Sequence, residues 1–452
     1  MLGESEVRRI VETVLNASAA DQTEVAVFSN NSALTRFANN YIHQNVEHRD
    51  VDVRVRAIVG KKIGIASANE IDADSLARLA GRAVELARHQ RENPDFQSLP
   101  SPQPLPEVES FVERTARCGP EERAAVVGQI CEASGRAGLT AAGAFHTTAQ
   151  ELALANSLGV FAYGTETQAD INTVVMSETS SGYAARVSKD VADIDGDAVA
   201  QEAVNRALRS MNPRSVEPGD YEVVFEPYAV VDMLDFFSWL SFGALAFMEK
   251  RSFMSGRIGE RVMGDNITIW DDALDPRGLP AAFDYEGVPK QKVTFIEDGI
   301  ARGVAWDTYF AGKAGGTQRS TGHALPAGAT IGPLPLHLFM ATGEATRDDM
   351  IRDVKRGLWV TRFWYTRTVH PLNVVVTGMT RDGTFLIEDG KVVGPVRNMR
   401  FTQGYVEALN NVSMIDREAS LVLGDVGGGA RLVPAIKVDR WTFTGVSSES
   451  GT

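Results

Sequence analysis

Hydrophobic and polar positions along the chain change period several times, and the changes divide the sequence into three units. In the first, Asp50-Val-Asp-Val-Arg-Val-Arg-Ala57 alternates strictly, which puts one face of a strand in water and the other in a core. An amphipathic helix at the N-terminus leads into a strand over Thr23–Phe28. Gly60 and Gly64 bracket a connection into Ile63–Ser67. Asp72 or Asp74 then caps a helix with Leu76, Leu79, Ala80, Ala83, Leu86 and Ala87 on one side. Five prolines between Pro94 and Pro106 disfavour helix and sheet alike and mark a linker.

The second unit opens at Gly119-Pro-Glu-Glu122, with proline and acids in a first helical turn. Strands follow over Phe145–Asn156, Val160–Thr167 and Ile171–Met176, and a helix over Asp197–Met211. Asn212-Pro-Arg-Ser-Val-Glu-Pro-Gly219 is the clearest boundary. In the third unit a strand over Tyr221–Phe225 runs through Pro227 into an apolar helix from Tyr228 to Met248. Asp298-Gly299, Asp382-Gly383 and Asp389-Gly390 then sit between strand-like runs as hairpin turns. The pattern predicts units at 1–97, 110–211 and 219–452 and an α+β fold. An N-terminal α/β region of mixed sheets and helices precedes a C-terminal domain dominated by a curved antiparallel sheet or partial barrel with a buried helix. No internal repeat shows in the sequence, and the polar tail Ser447–Thr452 is expected to fray.

Composition narrows the function. The 452 residues, 44% hydrophobic and 23% charged, are ordinary for a globular protein. A formal charge of -14, from 45 basic and 59 acidic residues, disfavours a general nucleic-acid binder, although a local basic patch is compatible with it. Cys118 and Cys131 are the only cysteines and point to reduced thiols. The acidic N-terminus lacks the basic and apolar blocks of a secretion signal. The greasiest run, Phe236–Met248, is shorter than the roughly 20 residues that span a bilayer. A cytoplasmic protein with no membrane partner is expected.

Several polar groupings carry possible chemistry. Asp232 and Asp235, three apart on the apolar helix, share a face and are candidates for a paired-carboxylate site, against a bland role at the wet edge of the helix. Asp271-Asp272 and Asp284-Tyr-Glu286 are acidic but lack calcium-loop spacing, and read as solvated turns. The glycines at 312–316 and 427–429 lack a phosphate-loop ending and read as flexible turns, with 312–322 able to admit backbone close to a peptide. His323, His337 and His370 have no metal-ligand spacing, and Ser252 and Ser320 lack a nucleophile elbow.

Two stretches, Glu249–Ala327 and Thr377–Gln403, resemble the TldD/PmbA family of peptidase-related proteins, and Asn156-Ser-Leu-Gly159 resembles a turn of the same family. The resemblance implies a two-subunit system in which the TldD type carries a His-Glu-x-x-x-His zinc helix and the PmbA (TldE) type lacks it. Here the strand and Pro227 that precede such a helix are present, but the window reads Asp235-Phe-Phe-Ser-Trp-Leu240. None of the seven histidines is followed by Glu. The family's late cysteine ligand is also missing: that region reads Leu423–Ala430 with three consecutive glycines, and no cysteine follows Cys131. Asp, Leu and glycine do not replace imidazole and thiolate ligands.

The resemblance therefore implies a chain with no catalytic residue and no metal, whose degenerate window is marked by Asp235, Phe236 and Leu240, with Phe236 and Trp239 filling a vacated pocket. Glu249-Lys-Arg-Ser252 resembles a family turn. It either caps the preceding helix or uses Arg251 and Ser252, with Arg381, to hold a peptide. The implied partner is a TldD-like zinc subunit, with zinc in that partner, and the implied substrate an unstructured peptide. The alternatives are an autonomous zinc-independent enzyme using Asp, His or Ser, and a peptide-binding homodimer. The family's association with DNA gyrase gains nothing from the acidic charge.

Overall fold

In the computed structural model, which describes residues 1–425 and 428–447, the first 188 residues build a single antiparallel sheet. Its strands are β1 (Gln22–Ala38), β2 (Tyr41–Val59), β3 (Lys62–Ala68), β4 (Thr140–Asn156), β5 (Phe161–Met176) and β6 (Ser181–Ser188), in the order β3-β2-β1-β4-β5-β6. The β1–β4 pairing joins the ranges 1–97 and 110–211 into one layer. Helices α1 (Glu4–Ala17), α2 (Ala73–His89), α3 (Glu113–Ala116), α4 (Pro120–Arg136) and α5 (Gly196–Arg209) accompany it.

The order reads outward from the β1–β4 seam as two copies of one plan, α1-β1-β2-β3-α2 and α4-β4-β5-β6-α5. The sequence shows no such repeat, because topology is shared and side chains are not. A glycine marks the equivalent helix approach in each copy. A Cβ at Gly64 on β3 would lie 2.2 Å from Ala83 O on α2, and one at Gly182 on β6 would lie 2.2 Å from Ala203 O on α5.

Strand alternation assigns the sheet's two faces. Val25, Val27, Ala153 and Ala155 pack with α1 and α2, whereas Ala26 and Leu154 point the other way, onto Phe283 of the third unit. Arg56 on β2 ties the layers together, bonding Glu24 beside it and Glu286 of the third unit at 3.1 Å.

The third unit is built from β7 (Gly219–Phe225), β8 (Ile269–Asp271), β9 (Val293–Glu297), β10 (Ile300–Ala301), β11 (Leu338–Met340), β12 (Arg356–His370), β13 (Val375–Glu388), β14 (Lys391–Pro395), β15 (Met399–Gly404), β16 (Val412–Leu423) and β17 (Ala430–Val446). With them run α6 (Pro227–Leu240), α7 (Ala244–Met248), α8 (Thr308–Ala314), α9 (Arg347–Asp353) and α10 (Tyr405–Asn410). Pairing in the order β17-β15-β13-β12-β7, with β7 returning to β17, closes five strands into a barrel. The sheet is mixed: β7 runs parallel to β12, and β11 to β17. Trp441 fills the barrel, with ring centroids 4.6 Å from Phe225, 5.1 Å from Phe401 and 5.3 Å from Phe363.

Four local expectations change. The single helix over 228–248 is broken into α6 and α7, because Phe242 and Ala244 are drawn into backbone bonds with Ala305, at 2.8 and 2.9 Å. Asp382-Gly383 is a bulge inside β13 rather than a hairpin turn, with the Asp382 carboxylate buried against Arg362 and accepting from Ser181 Oγ at 2.6 Å. Asp271, Asp284 and Glu286 are buried and partnered, not solvated. Ser447 is buried, its N–H bonded to Asn398 O at 2.8 Å, while residues 448–452 of the polar tail lie outside the described residues. Cys118 and Cys131 are free and buried, and among the described residues no helix is long and apolar enough to cross a membrane.

Emptying the barrel centre tests this packing. Trp441→Ala is expected to cost about 3–5 kcal/mol, seen as a fall of several degrees in melting temperature. A shift within about 1 °C contradicts the central role of this ring.

Candidate functional site

Helix α6 carries the chemistry. Eleven of its 14 residues are buried, so each carboxylate on or beside it must find a partner inside the protein. Glu226, just before Pro227, receives Arg347 Nη1 at 2.7 and 2.6 Å and Trp359 Nε1 at 2.7 Å. Arg347 continues to Asp416 at 3.0 Å. One helical turn and a half further on, Asp232 accepts Tyr405 Oη at 2.5 Å and Thr366 Oγ1 at 2.7 Å. Burial drives the Asp232 carboxyl up to about 7; the two hydroxyls pull it down, and nearby Asp235 and Asp425 push it up.

Asp235 meets Arg431. The guanidinium Nε lies 2.9 Å from Asp235 Oδ1, Arg431 is 0% exposed, and the Asp425 N–H donates to Asp235 Oδ2 at 2.6 Å. Arg431 Nη1 reaches across to Leu336 O at 3.0 Å. Glycines on either side make room for the pair. A Cβ at Gly424 would lie 2.6 Å from Asp235 Oδ1, and one at Gly429 would lie 2.3 Å from Leu336 O and 2.7 Å from Arg431 Nη1. A zinc ion does not fit these residues, since a guanidinium already neutralises the carboxylate and, among the described residues, no imidazole or thiolate bonds it. Among the described residues no three His, Cys, Asp or Glu side chains are grouped to hold a metal ion.

A crevice runs past the pair's neighbours Asp425 and Leu336, between the N-terminal sheet and the third unit. Adjoining clefts of about 450, 130 and 140 Å³ follow β5 and β6 on one side. On the other side are Ser420–Leu423 of β16, then Asp425, then Leu336, His337 and Gly428–Gly429. Arg417 N–H bonds Ala345 O at 2.9 Å; beyond it, among the described residues, β16 pairs with β17 alone, and Ser420–Leu423 line the crevice.

Three family models match this chain in order: PmbA/TldA metallopeptidase domain 1 over residues 23–87, the central domain over 101–211, and the C-terminal domain over 218–445. The chain belongs to the PmbA/TldD family. Metalloprotease PmbA of Escherichia coli O157:H7 is 22% identical over 448 residues, covering 94% of this chain and 93% of the relative. A metalloprotease TldD homolog of Haemophilus influenzae is 28% identical over 211 residues, 44% of this chain and 43% of the relative. Several other curated relatives are likewise matched over about half their length or less. The crystal structure of TldE from Thermococcus kodakarensis superposes with a TM-score of 0.89 at 20% identity, covering 97% of this chain and all of that one.

Within this PmbA/TldD fold, the residues expected from the sequence fall in different places. Asp232 and Asp235 come together on α6. Phe236 packs its ring 5.8 Å from Tyr405, and Leu240 is buried. Trp239 does not fill a pocket: it is 46% exposed, and the space beside Asp235 is taken by Arg431 from β17. Arg251 pairs at the surface with Glu249 at 2.7 Å, its N–H bonding Ala246 O at 2.8 Å beyond the end of α7. Ser252 is buried and accepts the Met254 N–H at 3.1 Å. Neither lines the crevice. Arg381 stacks over Trp364 at 5.2 Å. In the glycine run, Val426 and Gly427 lie outside the described residues. Arg431 escaped the sequence reading, although a lone arginine between Ala430 and the apolar run Leu432–Ile436 signals a buried counter-ion.

Two predictions follow from α6. Arg431→Met strands the Asp235 charge and is expected to destabilise by about 3–5 kcal/mol, whereas adding Asp235→Leu restores part of the loss. Additive melting shifts in the double variant would show that the two side chains do not interact. The second concerns pH. Asp232 has a folded-state pKa above its unfolded value, so the folded chain holds an extra proton between the ordinary carboxylate range and about 7, and stability falls as pH rises through that window. Asp232→Asn should lessen the decline in melting temperature between pH 5 and 8 by about 1–3 °C; an unchanged decline would mean that Asp232 ionises normally.

Proposed function

We propose that this chain is the non-metal, TldE-like subunit of a peptide-processing pair, holding an unstructured peptide while a TldD-like partner supplies zinc and cuts. The Asp235–Arg431 ion pair carries this reading: a guanidinium neutralises Asp235 in the window that the resemblance aligns with the family's zinc helix, and Asp425, bonded to Asp235, lines the crevice. A peptide lying there meets the free edge of β16. Main-chain hydrogen bonds along such an edge select extended backbone rather than a particular sequence. Arg186, Tyr228 and Arg347 at the wide end offer further donors.

Exposed aromatics support the pairing. Trp239, Trp364 and Tyr365 are 46%, 45% and 67% exposed, and all three lie close to Asp232: Trp239 shares its helix face, and Thr366, next to Tyr365, bonds it. Aromatic side chains left in water beside a site are enriched at protein–protein contacts. The partner thus docks near α6, in the cytoplasm, and this chain carries no cofactor of its own.

The test is hydrolysis of an unstructured peptide by this protein alone, by a TldD-like subunit alone and by the mixture, with zinc measured in each. Cleavage confined to the mixture, with zinc in the partner, is expected. Cleavage by this chain alone would replace the reading with an autonomous zinc-independent enzyme, and the search would begin at Asp232.

A further inference from the structure

The narrow end of the crevice holds three hydrogen-bond donors that no side chain or backbone group among the described residues satisfies. Lys290 is 7% exposed, and its side chain makes no hydrogen bond or ion pair with any described residue. Its backbone fixes it there: the Lys290 N–H bonds Ala282 O at 2.9 Å, closing a loop whose Phe283 and Pro289 form a bridge. Tyr285, inside the same loop and half-buried, presents a hydroxyl without a protein partner among the described residues. His337 comes from the opposite wall, its backbone N–H bonded to Asp271 Oδ2 at 2.7 Å and its buried Nδ1 unpartnered. Burial, aided by Lys290, holds the His337 ring down to about 3, so it is neutral at physiological pH and has one N–H to give. All three side chains line the cleft of about 140 Å³.

A nearly buried ammonium with no protein acceptor is costly, and so is the buried His337 Nδ1 left empty. The charges around Lys290 limit what can fill the gap. Asp271 and Asp284 lie near enough to act on it electrostatically but not to bond it. Asp271 is engaged by His323 Nε2 at 3.0 Å, and Asp284 accepts the N–H groups of Glu286, Val288 and Ala324 at 2.9, 3.0 and 2.9 Å. With these acids behind the lysine, the pocket has no large positive excess and suits a monoanion better than a phosphate dianion. Glu166 lines the facing wall. A cleft of about 140 Å³ is comparable with a cavity that holds one benzene-sized group, which is the bulk of one small residue.

We propose that Lys290, Tyr285 and His337 form a binding pocket for the α-carboxylate of a small residue, either a free amino acid or the last residue of a peptide. The second source rests on the crevice reading above: a chain laid parallel to β16 and continuing past Asp425 would bring its carboxyl end toward Lys290. The cleft then sets where a peptide ends, and the β16 edge sets only that it is extended.

Calorimetric titration of the full chain tests the pocket with four probes: L-alanine, N-acetyl-L-alanine, an unstructured hexapeptide ending in a free alanine, and its C-terminal amide. Lys290→Met, with Lys290→Arg beside it, reports on the cation; Tyr285→Phe, which removes one hydroxyl, serves if Lys290→Met melts early. The free-acid hexapeptide is expected to bind at least about tenfold more tightly than the amide. Lys290→Met should abolish that difference and Lys290→Arg keep most of it, the size expected for a charge-assisted hydrogen bond. Binding of L-alanine or N-acetyl-L-alanine, lost in Lys290→Met, supports the pocket even if neither hexapeptide binds, an outcome that sinks the crevice reading alone. Equal binding of acid and amide, indifferent to Lys290, overturns the pocket and leaves the crevice standing. No binding of any probe overturns both.

Discussion

Burial of helix α6 is the constraint on which the C-terminal half depends. An apolar helix inside a sheet would have no fixed register if its contacts were hydrocarbon alone, since many rotations bury similar area. Glu226, Asp232 and Asp235 remove that freedom. Each must meet its own partner, and the partners arrive from separate parts of the chain: Arg347 on α9 and Trp359 on β12, Tyr405 on α10 with Thr366 on β12, and Arg431 on β17. Ions and hydroxyls so placed favour one rotation of α6 and bring together strands that are distant in sequence. The barrel and its polar inserts are therefore one cooperative arrangement.

The same network reaches the N-terminal layer. Arg206 of α5 lies 3.6 Å from Glu226, and Tyr228 of α6 donates to Ala185 O at 3.1 Å, while Arg186 bonds both Tyr228 and Glu202. These contacts sit in the wide end of the crevice. The groups that hold the two layers apart at a fixed spacing are thus the groups that line the space between them, so the width of the crevice is set by the fold and does not wait for a ligand.

Much of this was legible in the sequence where the signal is local. The strict alternation of residues 50–57 gives a strand with one buried face, Pro120 and Pro227 open helices, and Asp298-Gly299 and Asp389-Gly390 turn hairpins. What escaped depends on partners far along the chain. Asp271 reads as a turn acid until His323, 52 residues on, is seen to cover it. Asp382-Gly383 has hairpin chemistry, but the buried demand of Arg362 and Ser181 on its carboxylate keeps the strand running through. The twofold plan of the N-terminal sheet left no trace except two glycines at equivalent contacts. At the candidate site, Asp235 was legible as an acid on an apolar helix; its partner was not, because Arg431 lies 196 residues from Asp235.

The glycines at 424 and 429 give the Asp235–Arg431 pair an evolutionary meaning. Building a metal site at this window requires side chains where Gly424 and Gly429 leave none, imidazoles on α6, and removal of the arginine. Taken one at a time, each change either drives a new Cβ into the ion pair or leaves one buried charge alone. Intermediates on that path are less folded than either end. The structure thus works as a ratchet, in which a chain that has placed arginine here is held to the ion pair by the stability of its own core.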